Sequence, residues 1–96
     1  MKPSEALRIN RDEIRRVVVA HRAFNPCVFG SVVHGNDVEG SDLDILVEPT
    51  AEMTLFDIGA IRQELLQLLG MPVDVLTPQA LPEKFRAAVL AEAVPI

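Results

Sequence analysis

The sequence predicts an α/β (α+β) fold: a small mixed β-sheet with helices packed against it. Three observations predict it. Apolar residues recur with helical spacing over Leu7 to His21 and again over Leu55 to Leu69. Three short apolar runs of strand length, after Asn25-Pro26, from Asp42 to Val47 and from Met71 to Leu76, alternate with those helices. The link between the first two runs is short enough to permit an antiparallel pair, so helices alternating with strands give one layer of each, with a mixed sheet.

In the first helical segment, Leu7, Asn10, Ile14, Val17, Val18 and His21 share one side, as a core-facing stripe should. Asn10 with Glu13 three residues later also fits a capping box, so the segment reads as one helix or two. Arg8, Arg11, Arg15 and Arg22 form a second stripe, either a solvated cationic face or a contact for a partner or a triphosphate. His21, on an apolar helix face, reads as a core residue rather than a ligand. Asn25-Pro26 is expected to end the helix, because proline disfavours helix at the residue before it. The strand ending Val28-Phe29 leads to a short helix from Ser31, and the loop Gly35 to Ser41 follows, with Asp37 and Glu39 as surface residues. The second strand stops at Glu48-Pro49. Thr54 with Asp57 forms a capping box that opens the long helix, and Gly70 with Pro72 closes it. Its expected apolar face is Leu55, Ile58, Ile61, Leu65, Leu66 and Leu69, with Arg62 snorkelling from within it or pairing with a carboxylate. After the third strand, Pro82 opens a last helix whose Phe85, Val89 and Leu90 are expected to cover the remaining core.

The 96 residues make one expected domain, 1–96, able to bury roughly 60–65% of its unfolded surface, which allows a core and one shallow site. Apolar residues at 49% beside 24% charged fit a soluble globular protein. No run approaches a membrane helix or a signal-peptide core, and the one cysteine, Cys27, reads as a small buried hydrophobe; a cytoplasmic location is expected. The net charge of −5 is uneven: residues 1–23 hold six basic and three acidic side chains, and residues 24–96 three basic and eleven acidic. Such an acidic body excludes general nucleic-acid binding, which needs a basic face.

The chemistry concentrates at two places. Gly30-Ser31 follows an apolar strand and opens a helix, where free backbone N–H groups make a site for phosphate. Ten residues later comes Asp42-Leu43-Asp44, and residues i and i+2 of a strand point the same way, so the two carboxylates stand side by side. Adjacent carboxylates repel unless a cation separates them, and a hard cation held by carboxylates and substrate phosphates is the usual answer. Asp74 interrupts the third apolar run, where an aspartate is unusual without a reason. If that run lies beside the second, three carboxylates converge.

This pattern resembles the minimal nucleotidyltransferases of the DNA polymerase beta superfamily, specifically the small MNT-type proteins that pair as antitoxins with HEPN proteins. The resemblance spans nearly the whole chain. It implies that Gly30 and Ser31 hold a triphosphate, that Asp42 and Asp44 bind two Mg²⁺ ions (Mn²⁺ as a substitute), and that Asp74 completes the metal site. It implies transfer of a nucleoside monophosphate, AMP from ATP, to a hydroxyl, and a tyrosine of a HEPN-type toxin as the acceptor. One residue departs from the pattern: His34 stands where the family usually carries an arginine before the glycine that is Gly35 here. Two alternatives keep the same fold: an antitoxin acting by contact alone, or nucleotidyl transfer to a small molecule. A homo-oligomer is compatible with either.

Overall fold

The structure, a computed structural model, describes residues 1–96. Four helices, α1 (Pro3–Ile9), α2 (Arg11–Ala20), α3 (Leu55–Leu69) and α4 (Glu83–Glu92), accompany four strands, β1 (Ala23–Phe29), β2 (Leu43–Pro49), β3 (Val73–Leu76) and β4 (Val94–Pro95). The strands lie in the order β3-β2-β1-β4. β1 runs antiparallel to β2 and β4, and β3 runs parallel to β2, so the sheet is mixed as expected. The parallel pair is joined through α3, the kind of crossover a parallel connection requires. No helix is long and apolar enough to cross a membrane.

The alternation of each strand sorts its side chains to two faces. Val28, Leu43, Ile45, Val47, Val73 and Val75 are buried with Ile14 and Val18 of α2 and Ile61 and Leu65 of α3 in one cluster. α2 packs on β1, α3 packs on β3, and the two helices touch. The expected capping box is present, with the Thr54 N–H donating to Asp57 Oδ2 at 2.9 Å, and Gly70 ends α3 in the left-handed conformation at φ 68°.

Several expectations need correction. The N-terminal segment is two helices, and Asn10 does not cap the second: its side-chain amide donates back to the Ala6 carbonyl at 2.9 Å. The helix ends at His21 and Arg22, not at Asn25-Pro26. Those two residues lie inside β1 at a register shift between Phe24 and Cys27, with Asn25 at φ 49°. A bulge tolerates proline because the missing N–H falls where the ladder is already interrupted. His21 is half-buried and hydrogen-bonds Glu64 of α3, so it ties two helices together instead of sitting in the apolar core. Cys27 is half-buried, and its thiol pKa is raised by that desolvation and then by Glu48. The segment after Gly30 is a single 3₁₀ turn.

The faces of α3 and α4 also differ. Leu55 is 88% exposed, and the residues of α3 that are buried are Ile61 and Leu65, in its middle. Leu66 is partly exposed, and Arg62 lies on the solvent side. α4 contributes no buried residue; Phe85 and Leu90 are exposed and Val89 is half-buried. Polar groups hold it instead. The Arg86 guanidinium donates to the carbonyls of Pro78, Gln79 and Leu81, at 2.9, 3.2 and 2.9 Å. β4 then returns to the sheet edge, where Ile96 N–H donates to the Pro26 carbonyl and Arg15 Nε to the Ile96 carbonyl. Part of the arginine stripe therefore secures the last strand.

Asp37 is the other correction. Read as a surface residue, it is 8% exposed and accepts the Ser4 N–H at 2.9 Å. It reaches across from its loop to satisfy a free donor in the first turn of α1. Those hydrogen bonds from Ser4 hold its carboxyl below the usual range. Glu39, by contrast, is exposed and pairs with the Met1 ammonium.

Candidate active site

Strand register assembles the site on the sheet face away from α2 and α3. Asp44 stands opposite Phe29 of β1 and beside Asp74 of β3, in register with both. Val28 and Ile45, one residue earlier and later, pair on the core face. The expectation that Asp74 lies next to the second strand is met, and met at the same level as Asp44.

Gly30 closes the third side. It begins the 3₁₀ turn Gly30–Val32 directly after β1, at φ 78°, a conformation glycine adopts without penalty. A Cβ placed there would come within 2.3 Å of Asp44 Oδ2. The turn and the carboxylate thus occupy adjoining space that no side chain can enter. The Gly30 carbonyl accepts from Val33 and His34 N–H, while the N–H groups of Ser31 and Val32 take part in none of the turn and loop hydrogen bonds. These two donors are left without a partner at the start of the turn, as phosphate recognition needs. Ser31 is half-buried there.

Electrostatics single out Asp44. Partial burial, then the charges of Asp74 and Asp42, then a hydrogen bond with Asp74 push its pKa up to about 6. Asp42 does not share the strand: it lies exposed one residue before β2, within electrostatic reach of Asp44. Asp74 is on β3 and exposed. The three carboxylates are not drawn into one closed ligand cage. Like charges favour spread side-chain conformations, and Asp42, at an exposed loop end, is free to adopt one. The donor set nevertheless suits a divalent ion. All donors are hard oxygens, and the burial and repulsion that disfavour an ionised Asp44 are what a bound cation relieves.

Two contacts around the site were not evident from the chain alone. Phe29 supplies an apolar wall opposite Asp44, a placement that follows only from the register of β1 on β2. His34, at the end of the Gly30 turn, hydrogen-bonds Glu92 of α4 at 2.9 Å and so links the turn to the last helix. Fifty-eight residues separate the two, and no local pattern signals the contact.

The family model described as the nucleotidyltransferase domain matches residues 11–96. The chain belongs to the nucleotidyltransferase family. Among curated relatives of this nucleotidyltransferase, a candidate protein adenylyltransferase of Methanocaldococcus jannaschii is 34% identical over 92 residues, covering 92% of this chain and 99% of that protein. The protein adenylyltransferase MntA of Thermococcus cleftensis is 37% identical over 67 residues, covering 70% of this chain and 68% of that protein. Among solved structures, a candidate minimal nucleotidyltransferase superposes with a TM-score of 0.86 at 38% identity, over 97% of this chain and 95% of that one. A toxin–antitoxin structure with AMP-PNP shares the fold at TM-score 0.75 and 19% identity, over 90% of this chain and 71% of that one.

Proposed function

We propose that this nucleotidyltransferase moves AMP from ATP onto a hydroxyl of another protein, as the antitoxin of a toxin–antitoxin pair. The acceptor in this reading is a tyrosine of a HEPN-type toxin, and the setting is the cytoplasm. The observation that carries the reading is the contact of the Gly30 turn with Asp44, itself level with Asp74, on a sheet face that the core helices leave open. The relatives named as protein adenylyltransferases support AMP and a protein acceptor, and the likeness to a toxin–antitoxin structure supports the partner class.

Ser31 and Val32 N–H groups would bind the phosphate tail of ATP, and Gly30, lacking a side chain, would let that tail lie against Asp44. Asp42, Asp44 and Asp74 would hold Mg²⁺, which when bound neutralises the triphosphate and sharpens the acceptor as a nucleophile. An Asp74 carboxylate oxygen would take the proton of the acceptor hydroxyl as general base. The acceptor oxygen then bonds to the α-phosphorus, the bond from that phosphorus to the pyrophosphate oxygen breaks, and pyrophosphate leaves. Such chemistry is mostly positioning and electrostatics, which a shallow site can supply.

The test incubates the protein with a HEPN-type partner encoded beside it, Mg²⁺ and α-labelled ATP. Label on the partner, lost with Asp42→Asn and reduced with Asp74→Ala, is the expected result. A toxin that is neutralised equally well by Asp42→Asn, with no added mass of AMP, would establish an antitoxin that works by contact alone.

A further inference from the structure

Past the carboxylates, the sheet ends in a groove that no core residue fills. β3 carries Asp74 and Leu76 on the same face, two residues apart, or about 6–7 Å along a strand. Leu76 begins a groove of about 560 Å³ that continues through Met53, Leu55, Ile58 and Ala80 at the open end of β2 and β3. Its far wall is the first turn of α3. Leu55 lines the groove there, and its chain neighbour Phe56 stands just outside the lining; at 88% and 89% exposure they are the two most exposed large apolar side chains in the molecule.

The placement has no explanation in folding. The first turn of a helix is ordinarily acidic or polar, and Asp57 already meets that need through the capping box with Thr54. The capping box also makes this wall rigid, and the Arg86 bonds to Pro78, Gln79 and Leu81 brace the opposite wall. A preformed apolar groove that starts about two residues from a catalytic carboxylate suits a segment of the acceptor, not of the nucleotide. Charge narrows the occupant. Exposed Glu52 precedes the groove residue Met53, exposed Glu48 precedes Pro49 on β2, and Asp74 lies two residues before Leu76 on β3. The cations beside the groove are spent on backbone carbonyls, Arg22 on that of Glu52 and Arg86 on those of Pro78, Gln79 and Leu81. An apolar floor with an acidic rim complements an amphipathic polypeptide segment with basic flanks.

We infer that the groove between Leu76 and the Leu55–Phe56 turn is the acceptor-protein docking site, seating an apolar side chain of a basic segment so that a nearby hydroxyl reaches Asp74. This inference rests on the proposed protein-directed transfer. It also separates two functions in space: nucleotide at the Gly30 turn, acceptor at the α3 turn.

The experiment compares wild type with Leu55→Ser/Phe56→Glu, both on the protein surface, and with Phe85→Ser/Leu90→Ser as an exposed apolar control on α4. Calorimetry with the HEPN-type partner and with MgATP, and AMP transfer at varied partner concentration, are read together. Expected for Leu55→Ser/Phe56→Glu is unchanged MgATP affinity and melting temperature, at least tenfold weaker partner binding, and a KM for the partner raised in step with little change in kcat. The control should match wild type. Wild-type partner affinity and KM in Leu55→Ser/Phe56→Glu overturn the docking site while leaving the transfer reading intact. Partner binding lost in that variant, in a wild type that never transfers AMP, keeps the docking site and overturns the transfer. A wild type that neither binds nor modifies the partner overturns both.

Discussion

The two faces of one short sheet follow opposite rules. On the helix side, Val28, Leu43, Ile45, Val47, Val73 and Val75 are all buried in one apolar cluster. On the other side, the same strands carry Phe29, Asp44 and Asp74, level with one another, with Leu46 buried apart from the main cluster. A step of one residue along β2 moves from a site built for stability to one built against it. Asp44 is held where its charge is disfavoured by burial and by two like charges. In the proposed function, a bound cation is what would offset that burial and repulsion. Stability and chemistry are separated by the pleat, not by distance.

The sharpest way to test that separation is to mutate the two neighbours. Ile45→Ala, on the core side, should cost about 2–5 kcal/mol, a large part of the stability of a domain this small. At roughly 4–8 °C per kcal/mol, the melting temperature should fall by at least about 10 °C. Asp44→Asn should do the reverse. AMP transfer should fall by at least about 10²-fold, the scale of losing one charge-stabilising group. The cation-free fold, however, should gain stability above pH 6. The sign follows from linkage. A carboxyl whose folded pKa is raised to about 6 from 3.8 contributes stability below pH 3.8, and that contribution is lost as pH rises through about 6. The asparagine never ionises, so thermal melts in chelator should place it above wild type at pH 8 and level with it near pH 4. Parallel pH curves for the two proteins would mean that Asp44 lies in an ordinary solvated position.

The boundary between the faces is Gly30, and its prediction comes next in size. Gly30→Ala meets two obstacles: a left-handed backbone, which costs about 1–3 kcal/mol for a non-glycine residue, and Asp44 Oδ2 at 2.3 Å from the new Cβ. Gly40→Ala meets only the first, since Gly40 has φ 92° with nothing within 4 Å of its Cβ position. Both should lower the melting temperature. Only Gly30→Ala should also lose MgATP affinity, because only there does the methyl group enter the space between turn and carboxylate. Equal losses of affinity in the two variants would remove Gly30 from the site.

How much of this was legible beforehand depended on period. The apolar strand runs, the capping box at Thr54 and the left-handed stop at Gly70 are local signals; β2, β3, the box and the stop are present within two residues of where the chain implies them, whereas β1 begins at Ala23, ahead of Asn25-Pro26. Gly30, Asp44 and Asp74 stood out because an aspartate in an apolar run, or a glycine at its end, contradicts the local pattern. What escaped is what local pattern cannot carry. β4 is two residues long, one of them proline, too short for any period. α4 has apolar residues at helical spacing, yet none of them is buried, and Phe85 and Leu90 stay exposed. The contacts of Asp37 with Ser4 and of His34 with Glu92 join residues 33 and 58 positions apart. Asn10 misled for a related reason: a short amide side chain can cap forwards or bond backwards, and here it bonds to Ala6.

The smallest predicted effect sets Asp37 against Asp44, a buried and a half-buried carboxylate shifted in opposite directions. Asp37 accepts from the first turn of α1, and the partial positive charge of that helix end favours its ionised form. Its folded pKa is therefore below 3.8, and the stability it contributes is present above pH 3.8 and lost as pH falls through the lower folded value. Asp37→Ala should cost about 0.5–2 kcal/mol at neutral pH, as loss of a helix cap does. Asp37→Asn keeps an acceptor and should cost less. Both deficits should shrink as pH is taken below 3.8, while the Asp44→Asn gain appears only on the other side, above pH 6. Thermal melts of the three variants from pH 2 to 8 would therefore show two separate windows. A deficit for Asp37→Ala that persists undiminished at pH 2 would mean that Asp37 acts by packing in its loop, and that its charge has no part in holding α1.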